Sequence, residues 1–359
     1  MSPPPSRARS SAGRPPHRST NASAKPSPGT GSTAISSERV FVGIPTFNRP
    51  RMVRETVESL RAQSFGDFRA IVSDNCSPGD IADQLRAWVD ALGDPRIRFV
   101  AQPANGGEYG QGRYLFAERG DADYFMILHD DDLLDPDCLA KGVATLDATP
   151  EAALFVADPR LIDVAGIVSP TLTAQYLHDH GRTARGEGLF PILDTHMATG
   201  LTPISGTLLR ASAVARAGLV DEDCTGNFPF EMNVMMRLGD IGAQGWLSHE
   251  TLLSVRYHDG SLRNTLGLMH NPAVIGTMMT LLERRRYDGM PEQRRRLILS
   301  RLHRARATLC WEAGDAAGGR AALRAACAYN PRSPKSWGLR ALYALTAPPR
   351  PTAIETDAV

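Results

Sequence analysis

Three consecutive carboxylates, Asp130, Asp131 and Asp132, follow an apolar run in the stretch YFMILHDDDLLDPDCL. Ionised carboxylates at that spacing repel, and at the edge of a core they are costly unless a cation pairs them. A hard divalent ion such as Mg2+ or Mn2+ takes oxygen ligands and shares carboxylates with phosphate oxygens. An acidic cluster at a strand end therefore suits a metal that bridges to a diphosphate. The plainer explanation is an acidic first turn that favours the dipole of the next helix. That explanation accounts for Asp135 and Asp137 better than for the triplet. Two further residue pairs stand at comparable places, Pro45-Thr46 and Asp74-Asn75, each closing a short apolar run.

Such residues need a frame that brings three strand ends together. From Arg39 the chain reads RVFVGIP as a strand, and FNRPRMVRETVESLRAQ as a helix with Met52, Val53, Val57 and Leu60 at helical spacing. Asn48 stands where a cap would, with Pro50 in the first turn. FRAIVSD, RIRFV and DYFMILH read as strands; DIADQLRAWVDAL, GQGRYLFAERG and DPDCLAKGVATLDA read as helices. The alternation predicts an α/β fold with a mostly parallel sheet flanked by helices, in which ligands gather beyond the carboxyl ends of the strands. After ALFVAD the pattern weakens, and residues 160–200 read as irregular. ISGTLLRASAVARAGLVDE then reads as a strand and a helix, PFEMNVMMRLGDIG as a helix, and WLSHETLLSVRYHDGSL as one or two strands ending in a loop. From about Asn271 the chain is helical and arginine-rich. GDAAGGRAALRAACAYNP resembles one tetratricopeptide hairpin, but the unit does not recur.

The 359 residues, 42% hydrophobic and 22% charged, suffice for one large domain or two. A net charge of +1 gives no case for a nucleic-acid partner. The five cysteines are scattered without CxxC spacing, which suggests a reducing compartment. No apolar run approaches the roughly 18–20 residues that span a bilayer, and no apolar segment follows the first arginines as a secretory signal requires. The expected location is the cytoplasm. Whether the basic C-terminal helices also touch lipid headgroups at the inner face of the plasma membrane, or are ordinary solvated faces, stays open on charge pattern alone. Residues 1–37 are basic, rich in Pro and Ser and nearly devoid of apolar side chains, and are expected to be disordered. The expected organisation is a domain over 38–270, a helical extension over 271–346 and a disordered tail over 347–359.

Several motifs recur together and in order: VGIPTFNRP, IVSDN, RIRFVAQPANGG before GQGRYLFAERG, LHDDDLLDP, SGTLLR with PFEMNVMMRLG, and VRYHDGSL. With them, the chain from Arg39 to roughly Arg263 resembles family 2 glycosyltransferases of the GT-A fold. The resemblance implies a nucleotide-sugar-binding half over 38–158 and an acceptor-side half over 159–270. It implies a donor site of Pro45, Thr46, Asn48, Arg49, Asp74, Asn75, Arg113 and Asp130. Thr46 and its neighbouring backbone would frame the nucleobase, Asp74 would accept from its ring N–H, Arg113 would lie near base or phosphate, and Asp130 would hold ribose. Asp131, with Asp132, would ligate Mg2+ or Mn2+, and His258 would approach the metal or diphosphate. Glu231 would be the catalytic base, in an apolar setting of Phe230, Met232, Met235 and Met236 that favours a raised pKa. The alternative for Glu231 is a plain acid in a first helical turn.

Sugar transfer needs a neutralised departing diphosphate and a carboxylate that takes the acceptor's proton. The implied activity is inverting transfer from a nucleoside-diphosphate sugar, UDP-sugar favoured, to a glycan or lipid-linked acceptor in cell-surface polysaccharide synthesis. The family often carries an acid where His129 stands, so the register of the acidic motif is open between Asp130 and Asp132. It usually carries Asp where this chain has Glu231, which asks for a reshaped acceptor pocket. A catalytically silent scaffold that binds a partner through its C-terminal helices is the alternative these departures allow. A sugar-phosphate nucleotidylyltransferase would need a glycine-rich, basic first loop, which IPTFNRP is not. NGGEYGQG matches neither a P-loop nor a dinucleotide fingerprint and reads as a loop over the donor. His196, His249 and His270 lack ligand spacing and read as structural or surface residues, and the loop reading of His178–His180 outweighs a metal site.

Overall fold

The computed structural model of the protein describes residues 38–200, 202–258 and 271–349. The tail expected over 1–37, the late part of the histidine loop with His270, and residues 350–359 lie outside the described residues.

The first half alternates strands and helices: β1 (Val40–Thr46), α1 (Met52–Arg61), β2 (Phe68–Asp74), α2 (Ile81–Ala91), β3 (Ile97–Ala101), α3 (Gly107–Glu118) and β4 (Tyr124–Ile127). The two-residue β5 (Leu133–Leu134), α4 (Cys138–Ala148) and β6 (Ala152–Ile162) follow. Then come α5 (Pro170–Asp179), β7 (Gly188–Pro191), α6 (Ile192–Thr199), β8 (Leu208–Arg210), α7 (Ala211–Ala217), α8 (Phe230–Asp240) and β9 (Gln244–Arg256). The chain closes with α9 (Pro272–Glu283), α10 (Gly289–Glu312), α11 (Ala316–Tyr329) and α12 (Pro334–Leu345).

The strands form one sheet in the order β3-β2-β1-β4-β8-β6-β9-β5, with β7 also on β9. The expected parallel sheet is the half β3-β2-β1-β4. Beyond it β8 runs antiparallel to both β4 and β6, β6 and β9 pair in parallel, and β5 and β7 add to β9 antiparallel. Both faces are covered, as the unbroken apolar runs require. Along β1, Phe41 joins one core with Ile71, Leu115 and Phe125, while Val40, Val42 and Ile44 join the other with Val53, Val57 and Leu60. Each such wholly buried aliphatic side chain contributes about 1.5–3 kcal/mol. Gly43 is what lets α3 lie on β1, because a Cβ there would come within 2.8 Å of Leu115 Cδ1.

Two expectations need correction. Asn48 does not cap α1: its φ is +56°, and the helix starts at Met52 after a turn through Pro50 and Arg51. Residues 160–200 are not irregular, since they hold the end of β6, α5, β7 and α6. Tyr176 is the only fully buried residue of α5, so no apolar stripe announced that helix. The C-terminal helices also share the main core: Ile275, Met279, Leu282, Leu299 and Leu302 pack in one cluster with Phe230, Val234 and Met235. A small second core of Trp311, Leu323 and Tyr343 ties α10, α11 and α12, with the Trp311 and Tyr343 rings stacked at 3.8 Å. All five cysteines are free thiols. Among the described residues no helix is long and apolar enough to cross a membrane.

Candidate active site

Sheet register sets where the polar residues stand. Thr46 and Asp74 are paired across β1 and β2, so these two strands end level. β4 pairs with β1 only as far as Ile127 opposite Gly43, and Leu128 N–H then donates to Gly43 O at 3.0 Å. The triplet thus climbs beside the end of β1. Thr46 Oγ1 donates to Asp130 Oδ2 at 2.7 Å, and Arg49 Nη1 reaches Asp130 Oδ1 at 3.1 Å and Asp131 Oδ2 at 3.0 Å. His258 Nε2 lies 3.0 Å from the same Asp131 oxygen. Asp132 accepts from Ser205 Oγ at 2.5 Å and from Arg256 N–H at 3.1 Å. All three carboxylates are buried.

The chemistry of this donor set fits a divalent cation. A ring nitrogen of His129 and carboxylate oxygens of Asp131 and Asp132 lie within 4.8 Å of one another. Burial, then the neighbouring Asp131 charge, pushes the Asp132 carboxyl up to about 6 and raises Asp130 as well, against the pull of Arg49 on the latter. Burial opposes charge on His129, but the surrounding carboxylates, Asp132 foremost, outweigh it and raise its pKa. A cation among these side chains would supply the charge that the cluster lacks.

Asp74 and Asn75 close β2 and are buried there. Ser77 donates its N–H to Asp74 Oδ2 at 2.9 Å and its hydroxyl to Asp74 Oδ1 at 2.5 Å. Asn75 accepts from Gly106 N–H and donates to Asn105, which holds the start of the α3 segment against the end of β2. Pro45 lies beside Thr46 on β1, and Asn48 N–H donates to Ser77 Oγ at 2.8 Å. The structure therefore gathers Pro45, Thr46, Asn48, Arg49, Asp74, Asn75 and the triplet at one edge of the sheet. Arg113 is not among them. Its Nη2 donates to the carbonyls of Asp221, Glu222 and Cys224 at 2.7–3.0 Å, which fastens α3 to the loop before α8.

Glu231 approaches the triplet from the other side. It sits in the first turn of α8, and its Oε2 accepts from Ile204 N–H at 2.9 Å. The next residue, Ser205, is the one that holds Asp132 and accepts from His129 N–H at 3.1 Å. One turn of chain therefore couples Glu231 to the acidic cluster. Glycines permit the approach: a Cβ at Gly112 would fall 2.3 Å from the Phe230 ring, and one at Gly107 would fall 2.4 Å from Gly226 O. Glu108, which follows Gly107, feels both groups. Burial pushes it up to about 7, His129 opposes this and Glu231 adds to it. Beside Glu231 opens a mostly apolar cleft of about 270 Å3, walled by His196, Met197, Pro229, Met232, Met278 and Ile298 among others.

Sequence reasoning missed four residues. His129 was read as a departure, yet its ring sits with Asp131 and Asp132. Ser205 carried no signal beyond its place in ISGT. Arg256 is buried beneath the triplet, donating from Nε to Asp131 O at 3.0 Å and from Nη2 to Glu55 at 2.6 Å; its closeness to His258 in VRYH was the available hint. His196 lines the cleft, its pKa lowered by burial. His249 is structural, bound to Asp158 and to Arg185 O.

Residues 41–197 match the family model of glycosyl transferase family 2. The chain is 36% identical over 121 residues to protein y4gI of Sinorhizobium fredii (strain NBRC 101917 / NGR234), which is 33% of this chain and 13% of that one. It is 31% identical over 109 residues to the succinoglycan biosynthesis protein ExoW of Rhizobium meliloti (strain 1021), 30% of this chain and 34% of that one. The matched part is thus about a third or less of either curated relative's length. Among solved structures, S. aureus TarS 1–349 in complex with UDP-GlcNAc superposes with a TM-score of 0.57 at 12% identity over 81% of each chain, a likeness of fold.

Proposed function

Residues 41–197 match glycosyl transferase family 2, and on that match and the geometry of the acidic turn we propose that the chain is a GT-A glycosyltransferase that transfers a sugar from a nucleoside-diphosphate sugar, a UDP-sugar first, with inversion at the anomeric carbon. The observation that carries the reading is the Ile204–Ser205 turn, which joins the buried acidic cluster to Glu231. Thr46, Asp74 and Asn75 form the base and ribose end of the donor site together with Asp130. Arg49, already on Asp130 and Asp131, offers its charge toward the diphosphate. Mg2+ or Mn2+, held by Asp131 and Asp132 with His129 or His258 beside them, would neutralise the leaving diphosphate as a Lewis acid. The imidazole nitrogen tilts the choice toward Mn2+.

In the transfer itself the acceptor hydroxyl oxygen forms a bond to the anomeric carbon. The bond from that carbon to the diphosphate oxygen breaks with its electron pair, and the hydroxyl proton passes to Glu231. A single displacement with one base gives inversion. The Ile204 N–H on Oε2 fixes the carboxylate, leaving Oε1 for the proton. The apolar cleft beside Glu231 is the proposed acceptor site, for a glycan or lipid-linked acceptor of the kind a polysaccharide pathway uses. ExoW, with which the chain shares 31% identity, is a succinoglycan biosynthesis protein, and this supports that setting. The test is a screen of UDP-, GDP- and dTDP-sugars for metal-dependent release of the nucleoside diphosphate. One donor class turned over with Mn2+ or Mg2+ supports the proposal, and no turnover with any donor under either metal counts against it.

A further inference from the structure

α12 presents its faces in reverse. Its inward positions are Ser336 and Tyr343, both buried, with Leu339 partly so. Its outward positions are Trp337, Ala341 and Leu345 in an i, i+4, i+8 row, with Leu342 alongside. Trp337 is 47%, Leu342 51% and Leu345 86% exposed. At 3.6 residues per turn these side chains and Gly338 cover an arc of roughly 140°, with Lys335 at one edge and Arg340 beyond the other. Serine facing in and tryptophan and leucine facing out is not a pattern that the fold of this chain alone rewards.

Charge distinguishes this face from a simple uncovered patch. Between Ala316 and Ile354 the sequence has no acidic residue and six cations: Arg320, Arg324, Arg332, Lys335, Arg340 and Arg350. The first five are described and exposed. The Trp337 ring is held in place, with Nε1 donating to Pro331 O at 2.7 Å and the Arg340 guanidinium 4.9 Å from its centroid. A second copy of the chain would bring like charges together around the apolar row. An anionic bilayer surface instead offers phosphates to the cationic rim, an interfacial layer suited to an indole, and acyl chains for the leucines.

We propose that α12 is a docking helix for an anionic lipid surface. Trp337, Leu342 and Leu345 enter the boundary between headgroups and acyl chains, and Arg332, Lys335 and Arg340 pair with lipid phosphates. The proposal uses no residue of the active site and stands whichever donor and acceptor the enzyme takes. Full-length protein is co-sedimented with vesicles of phosphatidylcholine containing phosphatidylglycerol and with vesicles of phosphatidylcholine alone. The expected result is salt-sensitive binding to the anionic vesicles, about tenfold or more above the neutral ones. The triple variant Trp337→Ser, Leu342→Ser, Leu345→Ser and the double variant Lys335→Glu, Arg340→Glu each lose at least about tenfold in binding. Both alter exposed side chains, and circular dichroism of each variant is the check that it is folded. The proposal is overturned by no binding to anionic vesicles. It is equally overturned if both variants bind like the parent, since the basic N-terminal segment is then responsible, or if the triple variant abolishes a dimer of a parent that ignores vesicles.

Discussion

Replacing Glu231 by glutamine separates its two roles. One is structural: Oε2 accepts from Ile204 N–H at 2.9 Å, just before the serine that holds Asp132. A glutamine carbonyl oxygen keeps that bond, so the turn and the acidic cluster stay in place. The other role is acceptance of the acceptor's proton, which an amide cannot perform. Removing a positioned general base costs about 10²–10⁴ in rate, or about 2.7–5.5 kcal/mol of barrier. The donor-side residues Thr46, Asp74 and Asp130 do not touch Glu231, so donor affinity should stay within a few-fold. Alanine is the informative contrast, because it also orphans the Ile204 N–H and costs about 1–3 kcal/mol of stability. The assay is steady-state turnover with the donor found in the screen, alongside donor titration of both variants. Near-normal turnover of Glu231→Gln would remove this residue from the chemistry, and a parallel loss of donor binding would show that it acts by positioning alone.

Other outcomes follow from the same geometry. Arg256→Met strands the carbonyls of Asp131, Asp163 and Val164 and frees Glu55; the expected loss is about 3 kcal/mol in urea denaturation, and an unchanged midpoint would refute the buried anchor. Glu108 has a folded pKa of about 7 against an ordinary 4.5. The native state therefore keeps a proton that the unfolded chain releases between those values, and stability falls as pH rises through that window. Glu108→Gln should thus raise the thermal midpoint at pH 8 and leave it unchanged near pH 4, measured with chelator present; equal shifts at both pH values would contradict the assignment.

What the sequence reveals follows from how local each signal is. β1, β2 and β4 are short, mostly apolar runs that end in polar residues, so the parallel half of the sheet and the acidic turn were legible together. β5 has two residues and α5 buries only Tyr176 fully, so neither has a period to detect. Asn48 misled because a side chain suited to capping also tolerates the left-handed backbone that it adopts here. Arg113 was misplaced because its position on α3 is compatible with either end of that helix's surroundings, and the carbonyls of residues 221–224 claim it only in three dimensions. Ser205, in the turn before β8, and Arg256, at the end of β9, reach the triplet from 73 and 124 residues downstream of Asp132, through contacts that no local pattern encodes.

Isothermal calorimetry of UDP with the protein, with and without Mn2+, tests most directly whether the acidic turn after β4 is a metal-assisted diphosphate site. UDP should bind in the presence of Mn2+, weaken sharply without it, and lose about tenfold or more in affinity in Asp131→Ala. UDP affinity that ignores both the metal and the Asp131 substitution would contradict the account.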